Sequence, residues 1–332
     1  MSACKVGESI METKSMISIV IPVYFEEKVV EECYRRLKSV VDSNSLNYEL
    51  VFVNDGSTDK TLEILMRFAK ENKNVKIIDF SRNFGHQAAV TAGITNAAGD
   101  AVVVIDADLQ DPPELIIDMI RKWKAGSDVV YAKRKKRKGE TWFKLTTAKY
   151  FYKFLKSMAD VNIPTDTGDF RLMDRKVVNV LINMPERNRF LRGMISWIGF
   201  NQDYIEYERD ERFAGETKYP LKKMIKFAAD GIVAFSSKPL RLMTLFGSAT
   251  ILLAVIILIY SLIVKLFGYP NEPGWTSLMA AITFFSGVQL LSLGIMGEYI
   301  ARIYDESKNR PLFVVKNKIN MEETEKRPEG RM

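Results

Sequence analysis

Ala101-Val-Val-Val-Ile-Asp-Ala-Asp-Leu-Gln-Asp-Pro-Pro-Glu114 runs an apolar, mostly β-branched segment straight into an Asp-x-Asp and then into prolines. A run with no polar alternation reads as a strand buried on both faces, as in a parallel sheet, and the prolines end it. Two carboxylates one residue apart at a strand end, where the chain leaves the pleat, can turn towards one point and offer hard oxygen ligands to Mg2+ or Mn2+. A cation held in this way commonly neutralises a diphosphate.

Upstream, the same strand-then-helix alternation repeats. Met16 to Val23 is an apolar β-branched run, and residues 27–41 carry Val29, Val30, Cys33, Leu37, Val40 and Val41 at helical spacing. Tyr48 to Asn54 predicts a second strand, followed by a helix from about Thr58 to Asn72 with Asp55, Ser57, Thr58 and Asp59 as cap candidates. Asp59 is read as the helix cap rather than a ligand. Val75 to Phe80 leads through Asn83-Phe-Gly85 into a helix of small residues, Gln87 to Ala97, and then to the strand 101–105. A further strand is expected over Asp128 to Ala132. Alternating units of this kind imply an α/β fold with a Rossmann-like, mostly parallel sheet, and ligands at the carboxyl ends of the strands. Those ends carry polar groups at 22–26, 54–59, 81–83 and 106–111, so four loops are expected to share one crevice. A Gly-x-Gly-x-x-Gly fingerprint and a Lys-containing phosphate loop are both absent, which argues against a dinucleotide dehydrogenase and a nucleotide triphosphatase.

The mean hydropathy of −0.07 conceals a segregation. Residues 242–264 and 275–297 contain no charged side chain, and about 23 residues at ~1.5 Å each span a ~30 Å hydrocarbon core. They read as a transmembrane hairpin joined by a short turn, the alternative being two buried helices of a soluble core. Lys222, Lys223, Lys226, Lys238 and Arg241 precede the hairpin and Arg302, Lys308 and Arg310 follow it, which by the positive-inside rule puts both ends in the cytoplasm. The first fifteen residues are polar, with no apolar core of a signal peptide. The net charge of +7 collects around the apolar segments and in Lys133-Arg-Lys-Lys-Arg-Lys138, a distribution suited to lipid headgroups and phosphorylated substrates rather than nucleic acid. Trp142 to Leu155 is rich in aromatic residues and lysines, open to reading as an interfacial amphipathic helix or as packing on the sheet; Tyr219 to Phe235 favours the interface. Neither cysteine, Cys4 or Cys33, has metal-ligand spacing. The sole histidine, His86, has no nucleophile elbow or second histidine to serve, leaving a helix-start or donor-lining role.

In combination, Ile-Pro-Val-Tyr-x-Glu26, Val-Asn-Asp-Gly-Ser-Thr-Asp59, Ser-Arg-Asn-Phe-Gly-His86, Asp-Ala-Asp-Leu-Gln-Asp-Pro-Pro-Glu114, Thr-Gly-Asp-Phe-Arg171 and Arg-Phe-Ala-Gly-Glu-Thr-Lys-Tyr219 resemble family 2 glycosyltransferases of the GT-A fold that act on polyprenyl phosphates, similar to dolichol-phosphate mannose synthase and bactoprenol glucosyltransferases. The resemblance covers roughly Ile17 to Arg310. It implies that Pro22, Tyr24, Glu26 and Asp55 contact the donor nucleotide, with Phe25 standing where the family usually has Asn. It implies that Asp106, Asp108 and Gln110 surround an Mg2+ or Mn2+ ion and the donor diphosphate, Asp108 being the expected direct ligand, and that Arg134 lies near the donor phosphates. Asp169 and Arg171 fall where the family approaches the acceptor: Asp169 is expected as a base, as an orienting or pocket-shaping carboxylate, or as a structural partner of Arg171. Arg209, Arg212 and Lys218 are expected to grip the lipid phosphate.

The resulting division is a flexible N-terminal extension over 1–16, a GT-A domain over 17–218, an interfacial segment over 219–239, a membrane hairpin over 240–299 and a charged cytoplasmic tail over 300–332. The expected partners are a nucleotide sugar, a polyprenyl phosphate and the bilayer, without nucleic acid, and the family suggests a homo-oligomer. The expected activity is inverting transfer of a hexose, glucose from UDP-glucose first, to undecaprenyl phosphate at a bacterial-type plasma membrane. Alternatives are another donor such as GDP-mannose, UDP-N-acetylglucosamine or a 4-amino-arabinose nucleotide, a different acceptor, or a non-catalytic scaffold or translocation partner.

Overall fold

The computed structural model describes residues 15–135, 167–208, 238–267 and 274–321. In chain order the elements are β1 (Met16–Val23), α1 (Val30–Ser43), β2 (Asn47–Asn54), α2 (Thr61–Glu71), β3 (Val75–Phe80), α3 (His86–Asn96), β4 (Ala101–Val104), α4 (Leu115–Lys124), β5 (Val129–Arg134), β6 (Thr167–Asp174), α5 (Arg175–Asn183), α6 (Leu191–Ile198), β7 (Gln202–Tyr207), α7 (Lys238–Leu266), α8 (Trp275–Ser307) and β8 (Val315–Ile319). One eight-stranded sheet runs in the order β7-β5-β6-β4-β1-β2-β3-β8. Parallel pairs join β4, β1, β2 and β3, and β5 to β7, while β6 and β8 run against their neighbours.

The continuous apolar runs have the burial they predict. Along β1, Ile17, Ile19, Ile21 and Val23 pack into a layer with α1, α2 and α4, while Val20 faces the opposite layer built with α3, α5 and α6. The small residues of α3 let it lie directly on the sheet: a Cβ at Gly93 would fall 2.1 Å from Cγ1 of Val20. Helix α2 begins at Thr61 rather than Thr58 with Lys60 in the N-cap position, and Asp59, one residue before it, accepts the Thr61 N–H on Oδ1 at 3.1 Å.

The register of β6 builds the site. Because β6 runs antiparallel to β4, with Arg171 opposite Val104 and Asp174 opposite Ala101, its first residues emerge at the edge where β4 ends. Thr167-Gly-Asp169 is thereby carried beside Asp106 from the far side of the sequence.

The helices α7 and α8 are each long and apolar enough to cross a membrane, and neither apolar window is buried in the chain's own core. Side chains such as Leu245, Ile251 and Leu291 lie bare on their surfaces, where a soluble core helix would cover them. Helix α8 runs on to Ser307, past the expected end at 297, and the chain then returns to the sheet. Phe313 stacks on Phe80 with ring centroids 5.1 Å apart, the Ser81 N–H donates to the Val314 carbonyl at 3.0 Å, and β8 adds an antiparallel edge to β3. The stretch from residue 300, expected as a tail, thus supplies in its described part the end of α8 and an edge strand. Charge and polarity hid the strand because Lys316, Asn317 and Lys318 alternate poorly on an exposed edge.

Candidate active site at the carboxyl edge of the sheet

The loop after β1 presents two aromatic rings. Tyr24 and Phe25 are 41% and 42% exposed, with centroids 4.4 Å apart. Phe25 has φ of +56°, a left-handed conformation that a branched or bulky residue enters at a cost and that Asn or Gly accepts readily. The Phe25 N–H donates to Ser57 Oγ at 3.1 Å and the Glu26 N–H to Thr61 Oγ1 at 3.0 Å, tying this loop to the one after β2. Pro22 is buried inside β1, opposite Val53 and beyond the last β1–β4 pair, Val20 with Val104, so its missing N–H leaves no gap in the β4 ladder. It lies one residue from the carboxyl end of β1, next to the loop that carries Tyr24 and Glu26.

Asp55 follows directly on β2. It is buried, and its carboxylate accepts the backbone N–H groups of Phe84 at 2.7 Å and Gly85 at 2.9 Å. Burial pushes its pKa up, and those two N–H groups pull it back down. Asp55 therefore braces the loop after β3 against the loop after β2. The two loops abut closely: Gly56 has φ of +71°, and a Cβ there would fall 2.4 Å from the backbone carbon of Arg82.

The carboxylate pair sits where β4 ends. The Gln110 N–H donates to Asp108 Oδ1 at 3.1 Å, closing a tight turn in which buried Leu109 takes φ of +57°. His86 opens α3 and points across the crevice, its Nε2 lying 3.1 Å from Asp169 Oδ2 and 3.7 Å from Asp106 Oδ1. Burial disfavours its charge, but the Asp169 bond and the charge of Asp106 outweigh that and raise its pKa to about 9. Asp106 is raised to about 6, first by burial and then by the carboxylates of Asp169, Asp108 and Asp111, with His86 opposing. Asp169 is held the other way. Burial would raise it, yet Arg192, whose Nε donates to Oδ1 at 2.7 Å, and His86 keep it well below the usual carboxylate range. Arg171 lies 3.9 Å from the same oxygen, donates to the Gly168 carbonyl at 2.9 Å, and is lowered to about 10 by burial.

A second cluster closes the crevice at β5 and β7. The Arg134 Nε donates to the Tyr207 hydroxyl at 3.2 Å, that hydroxyl donates to Asp111 Oδ1, and the Arg134 guanidinium lies 3.9 Å from Asp111. Gly168 makes room for it, since a Cβ there would come within 2.9 Å of Arg134 Nη2. The structure thus brings together Asp106, Asp108, Gln110, Arg134, Asp169 and Arg171, while Arg209, Arg212 and Lys218 lie outside the described residues, as do the segments 142–155 and 219–235. Arg192, Asp111 and Tyr207 join the site without having been singled out. Asp111 belonged to the decisive motif, whereas Arg192 and Tyr207 lie in a stretch where the sequence offered no motif and no predicted element.

The donor set suits Mg2+ or Mn2+. Among the described residues no group of three or more His, Cys, Asp or Glu forms a complete protein cage. These ions rarely use one, taking one or two carboxylates with water and substrate phosphates. Asp106 and Asp108, with the Gln110 amide oxygen, are hard oxygen donors of that kind, and a divalent charge would offset both the burial and, after it, the neighbouring carboxylates that raise Asp106.

Comparison with known proteins agrees with this arrangement. The family described as glycosyl transferase family 2 matches residues 18–182, and the description GtrB C-terminal hairpin matches residues 238–303. The chain is 57% identical to the uncharacterized glycosyltransferase YkcC of Bacillus subtilis (strain 168), over 92% of this chain and 94% of that one. It is 42% identical to the bactoprenol glucosyl transferase of Shigella phage SfV, over 91% of this chain and 98% of the relative. Among solved structures, the mannosyltransferase PcManGT from Pyrobaculum calidifontis, in complex with GDP-Man and Mn2+, shares 16% identity and a TM-score of 0.44 over 90% of this chain and 89% of that one. The hairpin match, together with two bare apolar helices, marks a membrane protein. With its GT-A sheet, its carboxylate pair at the end of β4 and this hairpin, the chain belongs to glycosyl transferase family 2 and is a glycosyltransferase.

Proposed function

We propose that the chain transfers glucose from UDP-glucose to undecaprenyl phosphate or a similar polyprenyl phosphate, with inversion, to give a β-linked lipid phosphosugar. One observation carries the reading: the carboxylate pair of β4 and the Arg-clamped Asp169 of β6 face one crevice, bridged by His86, in a chain with a membrane hairpin. The relatives named as bactoprenol glucosyl transferases support the acceptor class and the sugar.

In this reading Tyr24 and Glu26 line the nucleotide side and Arg134 meets the donor phosphates. Asp106, Asp108 and Gln110 would hold Mg2+ or Mn2+, which when bound supplies neutralisation of the negative charge on the departing nucleoside diphosphate. An acceptor phosphate oxygen forms the new bond to the anomeric carbon, opposite the breaking bond to the diphosphate, and the electron pair of that bond leaves with UDP. No base is needed, because a phosphate monoester with a second pKa of about 6 already carries an ionised oxygen at neutral pH. Asp169, clamped by Arg192 and His86 and held ionised, positions the acceptor side rather than taking a proton. Arg209, Arg212 and Lys218 grip the lipid phosphate, and both ends of the hairpin face the cytoplasm, where nucleotide sugars are made available to the crevice.

The test is transfer of radiolabel from a panel of nucleotide sugars into organic-extractable lipid by membranes containing the full chain and undecaprenyl phosphate. Label from UDP-glucose above the other donors is expected. Label from another donor alone would overturn the sugar, and no label from any donor would overturn the activity.

A further inference from the structure

Asp169 is a small carboxylate in a crowded negative neighbourhood, and its orientation is set from outside the β6 motif. Its Oδ1 takes the Nε–H of Arg192 at 2.7 Å and its Oδ2 lies 3.1 Å from His86 Nε2. The side chains of Arg192 and Asp169 are 26% and 13% exposed, so the pair is only partly screened by solvent. Arg192 stands in the first turn of α6, where a cation opposes the helix dipole and gains nothing for the helix itself. The start of α6 is in turn pinned to the start of α3, because the Leu191 N–H donates to Gln87 Oε1 at 3.2 Å, next to His86. Two helix starts are thus locked together around one carboxylate.

We propose that Arg192 is a positioning residue for the anionic acceptor: it holds Asp169 turned away from Asp106 and offsets its charge, so that a phosphate can enter the crevice. The inference rests on the proposed polyprenyl-phosphate acceptor. Without Arg192, Asp169 keeps its carboxylate while losing its closest cation, and that poorly compensated charge repels an incoming phosphate. Arg192 acts through Asp169, so removing the Asp169 charge as well relieves the defect. A simple loss of fold does not behave in this way.

The experiment measures the acceptor and donor KM, kcat and direct binding of undecaprenyl phosphate in nanodiscs for the full chain and for Arg192→Ala, Arg192→Lys, Asp169→Asn and the double variant Arg192→Ala with Asp169→Asn. Arg192→Ala is expected to weaken acceptor KM and lipid-phosphate binding by roughly tenfold or more, as for a truncated charge pair, with the donor KM unchanged. Arg192→Lys restores part of the loss, and the double variant binds the acceptor better than Arg192→Ala alone. Equal effects on donor and acceptor, unchanged acceptor binding in Arg192→Ala, or a double variant weaker than Arg192→Ala would each overturn the proposal. If the wild-type chain transfers no sugar, the proposed function fails on its own, and the binding series still decides the role of Arg192: weaker binding repaired in the double variant supports it, and equal binding refutes it.

Discussion

Replacing Asp55 by Asn separates a brace from a ligand contact. In the wild type the buried carboxylate accepts two backbone N–H groups, from Phe84 at 2.7 Å and Gly85 at 2.9 Å. In Asp55→Asn one oxygen becomes an NH2 group facing an N–H, so one charge-assisted bond worth about 1.5–3 kcal/mol is lost and two donors oppose each other. Relief of the ionised group's burial returns part of this, since its pKa is already raised. A net loss of about 1–3 kcal/mol remains, and at about 2–4 °C per kcal/mol for a domain of this size the apparent Tm falls by roughly 2–12 °C. Thermal unfolding of the full chain in detergent at one scan rate, with and without UDP, reads the effect. Because the loop also delivers His86, the transfer rate falls with it. An unchanged Tm with weakened donor binding would show that Asp55 faces the nucleotide and refute the brace.

Phe25→Asn removes a bulky residue from φ of +56° and is expected to raise stability by about 1 kcal/mol, read as a higher Tm, because Asn tolerates that region. Tyr207→Phe deletes the hydroxyl that donates to Asp111 and accepts from Arg134; about a tenfold or greater fall in transfer rate is expected in steady-state assays, with secondary structure by circular dichroism unchanged. Phe313→Ala breaks the stack on Phe80, worth about 0.5–1.5 kcal/mol beyond its buried area, and should speed hydrogen exchange across Val315–Ile319 while leaving β1 protected.

The runs 16–23, 48–54, 75–80 and 101–104 announced the parallel core, since segments this rich in β-branched and aromatic residues, alternating with helical spacing, have few other uses. The carboxylate pair was legible for the same reason: its place after such a strand fixes where it points. The pairing of β6 was not, because Thr167-Gly-Asp169 enters the crevice only through an antiparallel insertion between β4 and β5, and register is a long-range property. The bracing role of Asp55 was not legible either, because its carboxylate meets the backbone N–H groups of Phe84 and Gly85 in a loop some thirty residues on. Arg192 was hidden among Arg187, Arg189 and Arg192, three cations of which only the last reaches Asp169. β8 was concealed by its lysines, which suit an exposed edge and read as a tail.

The most direct measurement is NMR of the lipid product made by the full chain from UDP-glucose carrying carbon-13 at the anomeric position, with undecaprenyl phosphate as acceptor, alongside Asp108→Ala and a chelator control. The account predicts a single β-configured glucose whose anomeric carbon couples to one phosphorus, and no product in either control. An α-configured product, a glucose bonded elsewhere than to the acceptor phosphate, or full product from Asp108→Ala would contradict it.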